Sequence, residues 1–164
     1  MNTRKNDPAV APEDRVLVIT RIFDAPPSLV FKAWTEKKHI GQWLAPRAFT
    51  IPHSEGEVRP GGHWRSCMRK PDGTELWLGG AYREVIESQR LVFTHAWDEP
   101  DGTRGHETVV TVTFEDYDGK TRLTLYQTIF KSVESRDGHR GGWNECLDRL
   151  AEYLPELLSQ EAMI

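Results

Sequence analysis

Three Asp-Gly dipeptides, Asp72-Gly73, Asp101-Gly102 and Asp118-Gly119, punctuate a stretch rich in β-branched and aromatic residues. Asp-Gly favours the positive φ angles of a two-residue type I′ hairpin, so each dipeptide proposes a strand pairing by counting outward from it. Counting from Asp118-Gly119 sets Phe114 opposite Leu123, Val112 opposite Leu125 and Val110 opposite Gln127. Counting from Asp101-Gly102 sets Val112 opposite Leu91, Val110 opposite Phe93, Thr108 opposite His95 and His106 opposite Trp97. The two counts are independent, and both put Val110 and Val112 on one apolar face. The other face carries Val109, Thr111, Thr113, Thr124, Tyr126 and Thr128, a solvated and strand-favouring set. Such a pattern predicts an antiparallel meander with one buried face. The Asp72-Gly73 count pairs Met68 with Trp77 and Trp64 with Ala81, and brings Lys70 opposite Glu75 near the tip. Gly79-Gly80 suggests a bulge or a close backbone approach within that strand.

A sheet with one apolar face needs a cover. Trp143, Leu147, Leu150, Leu154 and Leu157 or Leu158 recur at three and four, with Glu145, Asp148, Arg149 and Glu152 largely off that stripe. Pro155 is expected to kink or end this closing helix. Gly138, Gly141 and Gly142 are costly in its first turns, which implies either fraying or very close packing there. Upstream, Arg15 to Phe23 reads as a strand buried on much of both faces. Pro26-Pro27 then opens a short helix with Leu29, Val30, Ala33 and Trp34 at helical spacing. Thr35 is expected to cap a second helix carrying Ile40, Trp43 and Leu44 and stopped by Pro46. The order is therefore strand, two short helices, about six more strands in hairpins, and one long helix: an α+β two-layer domain. Residues 1–14 read as a disordered lead-in, 15–158 as the single domain and 159–164 as a tail.

Composition narrows the function classes. The 164 residues suit one domain that needs neither disulfides nor a structural metal. A net charge of −4 argues against a nucleic-acid footprint, and no apolar run approaches a membrane span. The start, MNTRKNDPAVAPEDR, has no apolar centre of a secretion signal. Cys67 and Cys146 stand far apart without a Cys-x-x-Cys, which fits two free thiols in a reducing cytoplasm. No cofactor is expected, because Gly61-Gly62 and Gly79-Gly80 are too short for a phosphate or dinucleotide loop. A metal is not expected either: His95 and His106 offer two ligands where zinc wants three or four.

Other residues fit a known pattern. A strand ending in Phe23-Asp24-Ala25-Pro26-Pro27, then Val30-Phe31, Trp34-Thr35 and Trp43-Leu44, resembles the opening of the START-like, or SRPBCC, helix-grip superfamily. Glu57-x-Arg59-x-Gly61-Gly62-x-Trp64-Arg65, Pro71-Asp72-Gly73, Arg90-Leu91-Val92-Phe93 and Gly141-Gly142-Trp143 with Leu147 and Leu150-Ala151 resemble one branch of it. That branch is named for homology to the activator of the heat-shock chaperone ATPase. The resemblance covers about residues 15 to 158. It implies a curved antiparallel sheet gripping its C-terminal helix, with a cavity between them. Members include chaperone cofactors and antibiotic-sequestering proteins, so the fold does not deliver the function.

The candidate ligand-binding residues are Trp43, Trp64, His95, Trp97, His106, Gln127 and Trp143. The meander assigns His95, Trp97, His106, Thr108 and Gln127 to the inner face, where polar groups must be paired, wetted or used by a ligand. Six tryptophans are many for a domain this size; most serve a core, and some leave a flat slot for a ring. Successive strand residues point to opposite faces, so His106-Glu107 cannot act on one substrate atom. His63, Arg65, Cys67 and Arg69 alternate on the face opposite Trp64 and Met68, and read as a solvated face ahead of an anion-binding patch. The leading expectation is a module that binds a small apolar, ring-containing ligand, with no catalytic residue assigned. Its rivals are a protein-interaction module with a chaperone ATPase as partner, and a cofactor-independent cyclase- or hydratase-like enzyme using His95 or His106.

Overall fold

A computed structural model describes residues 13–162. After a single 3-10 turn at Glu13–Arg15 come strand β1 (Leu17–Phe23), helices α1 (Pro27–Thr35) and α2 (Lys37–Trp43), and strands β2 (Thr50–Gly56), β3 (His63–Arg69) and β4 (Glu75–Ile86). Strands β5 (Arg90–Trp97), β6 (Thr108–Tyr117) and β7 (Lys120–Thr128) follow, and α3 (Val133–Ala162) closes the chain. The expected lead-in therefore lies outside the described residues over 1–12, and Glu13 and Asp14 are already turned. Residues 159–162 are helix rather than tail. Pro155 sits inside α3 without ending it, because Leu154 and Leu157 on either side are both held in the core.

All seven strands form one antiparallel sheet in the order β1-β7-β6-β5-β4-β3-β2. The α+β helix-grip architecture expected from the sequence is thus present: a long helix lies against the sheet's inner face, and two short helices follow β1. The last hairpin has the expected register throughout, with Phe114 opposite Leu123, Val112 opposite Leu125 and Val110 opposite Gln127. Asp118 and Gly119 both have positive φ, 51° and 85°, as a type I′ turn requires. Edge strand β1 departs from expectation. Leu17, Ile19 and Phe23 are buried, but Val18 and Ile22 are exposed, because β1 pairs only with β7 and the sheet's outer face is solvated.

The other two Asp-Gly turns are set apart from the third by the proline before the aspartate. Proline fixes φ near −65°, which suits the first central position of a type I turn and not the positive φ of type I′. Pro71-Asp72-Gly73 and Pro100-Asp101-Gly102 accordingly make three-residue loops, with only the glycine at positive φ. Lys70 N–H donates to Thr74 O, and Glu99 N–H donates to Thr103 O. Each aspartate carboxylate accepts the N–H of the threonine two residues on, 2.9 Å for Asp72 and 3.0 Å for Asp101. The β3–β4 pairing is therefore displaced by one residue: Met68 faces Leu76, Trp64 faces Gly80, and Arg69 rather than Lys70 bonds Glu75. At the β5–β6 turn the displacement is absorbed before the strands are reached. Leu91 with Val112, Phe93 with Val110 and His95 with Thr108 stand as expected, and His106 is squeezed out of register with Trp97.

Thr35 does not cap α2. Its hydroxyl donates to Phe31 O one turn back, and Glu36 occupies the cap position. On α3 the buried residues are Trp143, Cys146, Leu147, Leu150, Leu154 and Leu157, with Leu158 exposed. The aliphatic stripe packs with Leu17, Ile19, Phe23, Val112, Leu123 and Leu125 in one core. Arg21, the one polar residue on the inner face of β1, reaches α3 and donates to Asp148 Oδ1 at 2.7 Å and Asn144 Oδ1 at 3.1 Å.

Candidate functional site

Toward the β2–β5 side of the sheet the filling changes. A cavity of about 410 Å³ opens between α2, the first half of α3 and the inner face of β3, β4 and β5. Its size falls within the usual range for small-molecule sites. Strand alternation supplies one wall: Trp64, Ser66 and Met68 from β3, and Phe93, His95 and Trp97 from β5 all face inward. Tyr82 from β4 joins them, and α2 contributes Ile40 with Leu44 just beyond its end. The helix contributes Gly138, His139, Gly142, Trp143 and Cys146.

Most of the indoles have their polar atoms occupied, so they offer the cavity apolar faces. Trp64 N–H donates to Thr94 O at 3.0 Å. That carbonyl comes so near β4 that a Cβ on Gly80 would stand 1.9 Å from it, which is why this strand position carries glycine. Close backbone approach is thus the role of Gly80. Trp97 N–H donates to His139 Nε2 at 2.9 Å, which places the His139 proton on Nδ1, donating to Ser135 O at 2.7 Å. Trp143 N–H donates to Gln127 Oε1 at 2.7 Å and stacks on Trp34 with centroids 5.8 Å apart. Trp34 itself lines the cavity, yet its buried N–H has no acceptor among the described residues.

Of the seven sequence candidates, Trp64, His95, Trp97 and Trp143 meet around this cavity. The other three do not line it. Trp43 is fully buried, donates to Ala33 O at 2.9 Å and packs edge-on against Trp34. Gln127 is also fully buried and spans the core polar groups, accepting from Trp143 and donating to Thr108 Oγ1 at 2.8 Å, while Thr108 donates to the His95 carbonyl. His106 is exposed, and its Nε2–H donates to Ile129 O at 2.6 Å. Trp77 lies on the outer face, unlike the tryptophans that serve the core. Its ring is beside His53 and under the Arg65 guanidinium, and its strand neighbour Cys67 is completely buried. Arg65 is paired with Asp98 and Arg69 with Glu75, so neither is a vacant anion site.

Sequence reasoning missed His139, Cys146, Leu44 and Tyr82. His139 carried a signal, since it lies one helical turn before Trp143 on the same face. Leu44 and Tyr82 depended on how the chain after α2 and the bulged β4 fold over the sheet. The segment after α2 is fixed by Arg149, whose guanidinium donates to Ala45 O at 2.8 Å and to Pro46 O and Phe49 O. The glycines of α3 neither fray the helix nor receive a close neighbour. A Cβ on Gly138 would meet nothing within 4 Å, and one on Gly142 would meet only Pro46 at 3.7 Å. The missing side chains of Gly138 and Gly142, which line the cavity, leave it its volume.

The interior of the cavity is uncharged. Burial, and then the neighbouring His139, push His95 down to about 3, so its ring is neutral at physiological pH. Burial likewise lowers His139, and it pushes the Cys146 thiol and the Tyr82 phenol each up to about 12. Cys146 is therefore a thiol and not a nucleophilic thiolate. Lys37 and Glu55 are charged but sit exposed at the mouth. Cys67 and Cys146 are both free thiols. Among the described residues no cluster of three histidine, cysteine or carboxylate side chains is placed to hold a metal, and no helix is long and apolar enough to cross a membrane.

Solved structures with this fold include the AHSA1 protein from Silicibacter pomeroyi (27% identity, TM-score 0.78, 85% of this chain and 97% of that one). A protein from Arthrobacter aurescens is 23% identical, with a TM-score of 0.79 over 88% of each chain. One from Chromobacterium violaceum is 22% identical, with a TM-score of 0.78 over 84% of this chain and 95% of that one. No curated protein matches the sequence. The sequence profile described as Activator of Hsp90 ATPase homolog 1-like protein matches residues 24–155. With a seven-stranded sheet gripping a long closing helix, and that match over most of its length, the chain belongs to the AHSA1-like branch of the START-like helix-grip superfamily.

Proposed function

We propose that this chain is a small-molecule-binding module whose cavity takes an apolar, ring-containing ligand. The observation that carries the proposal is the 410 Å³ space walled by Trp34, Trp64, Trp97 and Trp143, with Phe93 and Met68 between them. A ring entering it would replace water on indole faces whose N–H groups are mostly engaged elsewhere. Each aromatic ring buries roughly 150–250 Å², and at about 25 cal/mol per Å² this amounts to several kcal/mol before ordering costs. Micromolar affinity needs no further contact. No step of the proposal requires catalysis. The cyclase or hydratase reading has less support: His106 does not line this cavity and meets His95 only across a smaller polar one, and the neutral His95 is a weak base.

Native mass spectrometry of the purified chain tests the proposal, followed by a tryptophan-fluorescence screen of aromatic metabolites. The expected result is a co-purified small molecule or a saturable emission change that Trp97→Ala weakens. The family description points to a second reading, a protein partner, and one feature favours it. On the outer face Val18 and Tyr126 are paired neighbours, with Ile22 further along the same strand, and all three are exposed. A screen without any saturable ligand transfers the proposal to that face.

A further inference from the structure

The cavity wall holds polar groups that no other residue pairs, the Trp34 N–H and the His95 ring among them. His95 is 7% exposed, and its ring lies edge-on to Trp97 at 5.6 Å and to His139 at 5.8 Å. It also tilts against Trp64 at 5.8 Å. Every polar atom of those three neighbours is engaged: Trp64 with Thr94, Trp97 with His139, His139 with Ser135. Among the described residues no other residue hydrogen-bonds the His95 imidazole; its one backbone contact is with its own carbonyl, which also receives Thr108. The ring borders the main cavity on one side. On the other is a smaller polar cavity of about 250 Å³, beyond the Trp97–His139 pair. A polar group at this depth that no neighbour pairs is costly to bury, and a ligand can recover that cost.

We propose that His95 makes the cavity selective for an uncharged ring carrying a hydroxyl group, the hydroxyl being hydrogen-bonded to the His95 imidazole. The inference rests on the ligand-binding reading given above. A neutral imidazole offers one N–H donor and one bare nitrogen acceptor. A hydroxyl both donates and accepts, so it satisfies whichever nitrogen faces the cavity. An ionised carboxylate is excluded on the same ground. No cation lies inside to pair with it, since Lys37 is at the exposed mouth, and an unpaired buried charge is far costlier than a buried hydroxyl. The ligand class is therefore a phenol or ring alcohol on an apolar skeleton. Ring acids of the same size are turned away.

Three probes of one skeleton test this on the full chain by fluorescence titration: naphthalene, 2-naphthol and 2-naphthoate. The wild type is expected to bind 2-naphthol roughly five- to tenfold more tightly than naphthalene, the yield of one net hydrogen bond. Binding of 2-naphthoate should be weaker than that of naphthalene by about tenfold or more. His95→Phe should keep naphthalene binding and abolish the preference for 2-naphthol, while His95→Gln, which retains a donor and an acceptor, should keep part of it. Circular dichroism confirms that each variant folds, and if neither does, the ranking of the three probes on the wild type decides. Equal affinity for naphthalene and 2-naphthol, or tightest binding of 2-naphthoate, overturns the role of His95 and leaves the cavity proposal standing. Failure of all three to bind overturns both.

Discussion

The two halves of α3 lie on the same sheet and do opposite things. From Leu147 onward the helix presents leucines at three and four to the aliphatic faces of β1, β6 and β7, and the contact is solid core. Before that point it presents Gly138, His139, Gly142 and Trp143 to the aromatic faces of β3 and β5, and the contact is a cavity. The register of the sheet sustains the division. Strands joined by the tight Asp118-Gly119 turn pair without a break and bring small aliphatics into line. β3 and β4, joined by a Pro-Asp-Gly loop, pair one residue out of the counted register, the β4–β5 ladder is bulged, and these strands carry tryptophan, histidine and paired glycines. Solid packing and open volume are thus divided along one helix, so substitutions at the two ends should have separable effects.

The largest effect is expected at the solid end. Leu150 is completely buried, and Leu150→Ala should cost about 2–5 kcal/mol, from lost transfer energy plus the hole left behind. Urea unfolding measures it. A loss below about half a kcal/mol would mean that the solid end tolerates space as the open end does, and the contrast between the halves would collapse.

Acid should act first at the open end. In the unfolded chain His95 takes up a proton below about pH 6.5, whereas in the folded chain burial keeps it neutral down to about pH 3. The unfolded state then binds more protons across that window, so folding stability falls as pH drops through it. Burial also lowers His39 and His139, which act with the same sign. Between pH 6.5 and 5 the His95 contribution is on the order of 1–2 kcal/mol. It should be missing from the stability profile of His95→Gln, while Leu150→Ala shifts the wild-type profile down without changing its shape. A variant profile as steep as the wild type's would show that another group carries the acid sensitivity.

Much of this division was legible in the residues. Leucine spacing marked the solid half of α3, and two turn registers placed His95, Val110, Val112 and Gln127 inward. What failed had local causes. A proline before Asp-Gly lengthens the loop by one residue, which moved the β3–β4 register and displaced His106 from the inner face. Counting on turn chemistry with the proline included would have caught both. The fate of inward polar residues was not legible, because Gln127 and His95 look alike on a strand template. Only packing in three dimensions gives Gln127 two partner residues and gives the His95 ring none. Tryptophan is equally ambiguous: Trp43 fills a hole and Trp97 walls one, and spacing alone does not separate them.

The smallest expected effect bears most directly on why the open end is open. Glycine inside a helix costs about 1 kcal/mol relative to alanine, and Gly138 has neither a positive φ nor a close neighbour to require it. Gly138→Ala should therefore stabilise the chain by about 0.5–1 kcal/mol, because alanine restricts the unfolded chain and its methyl group meets no atom. Gly138→Leu extends the same change far enough to occupy the cavity. It should keep the stability gain and weaken binding of an aromatic probe, so that stability and affinity move in opposite directions at one position. At Leu150, by contrast, they should fall together, since the whole fold is what suffers. Thermal melts and probe titrations on the two glycine variants read both quantities. If Gly138→Ala proves destabilising, something approaches this turn closely after all, and the glycine serves packing rather than the volume of the cavity.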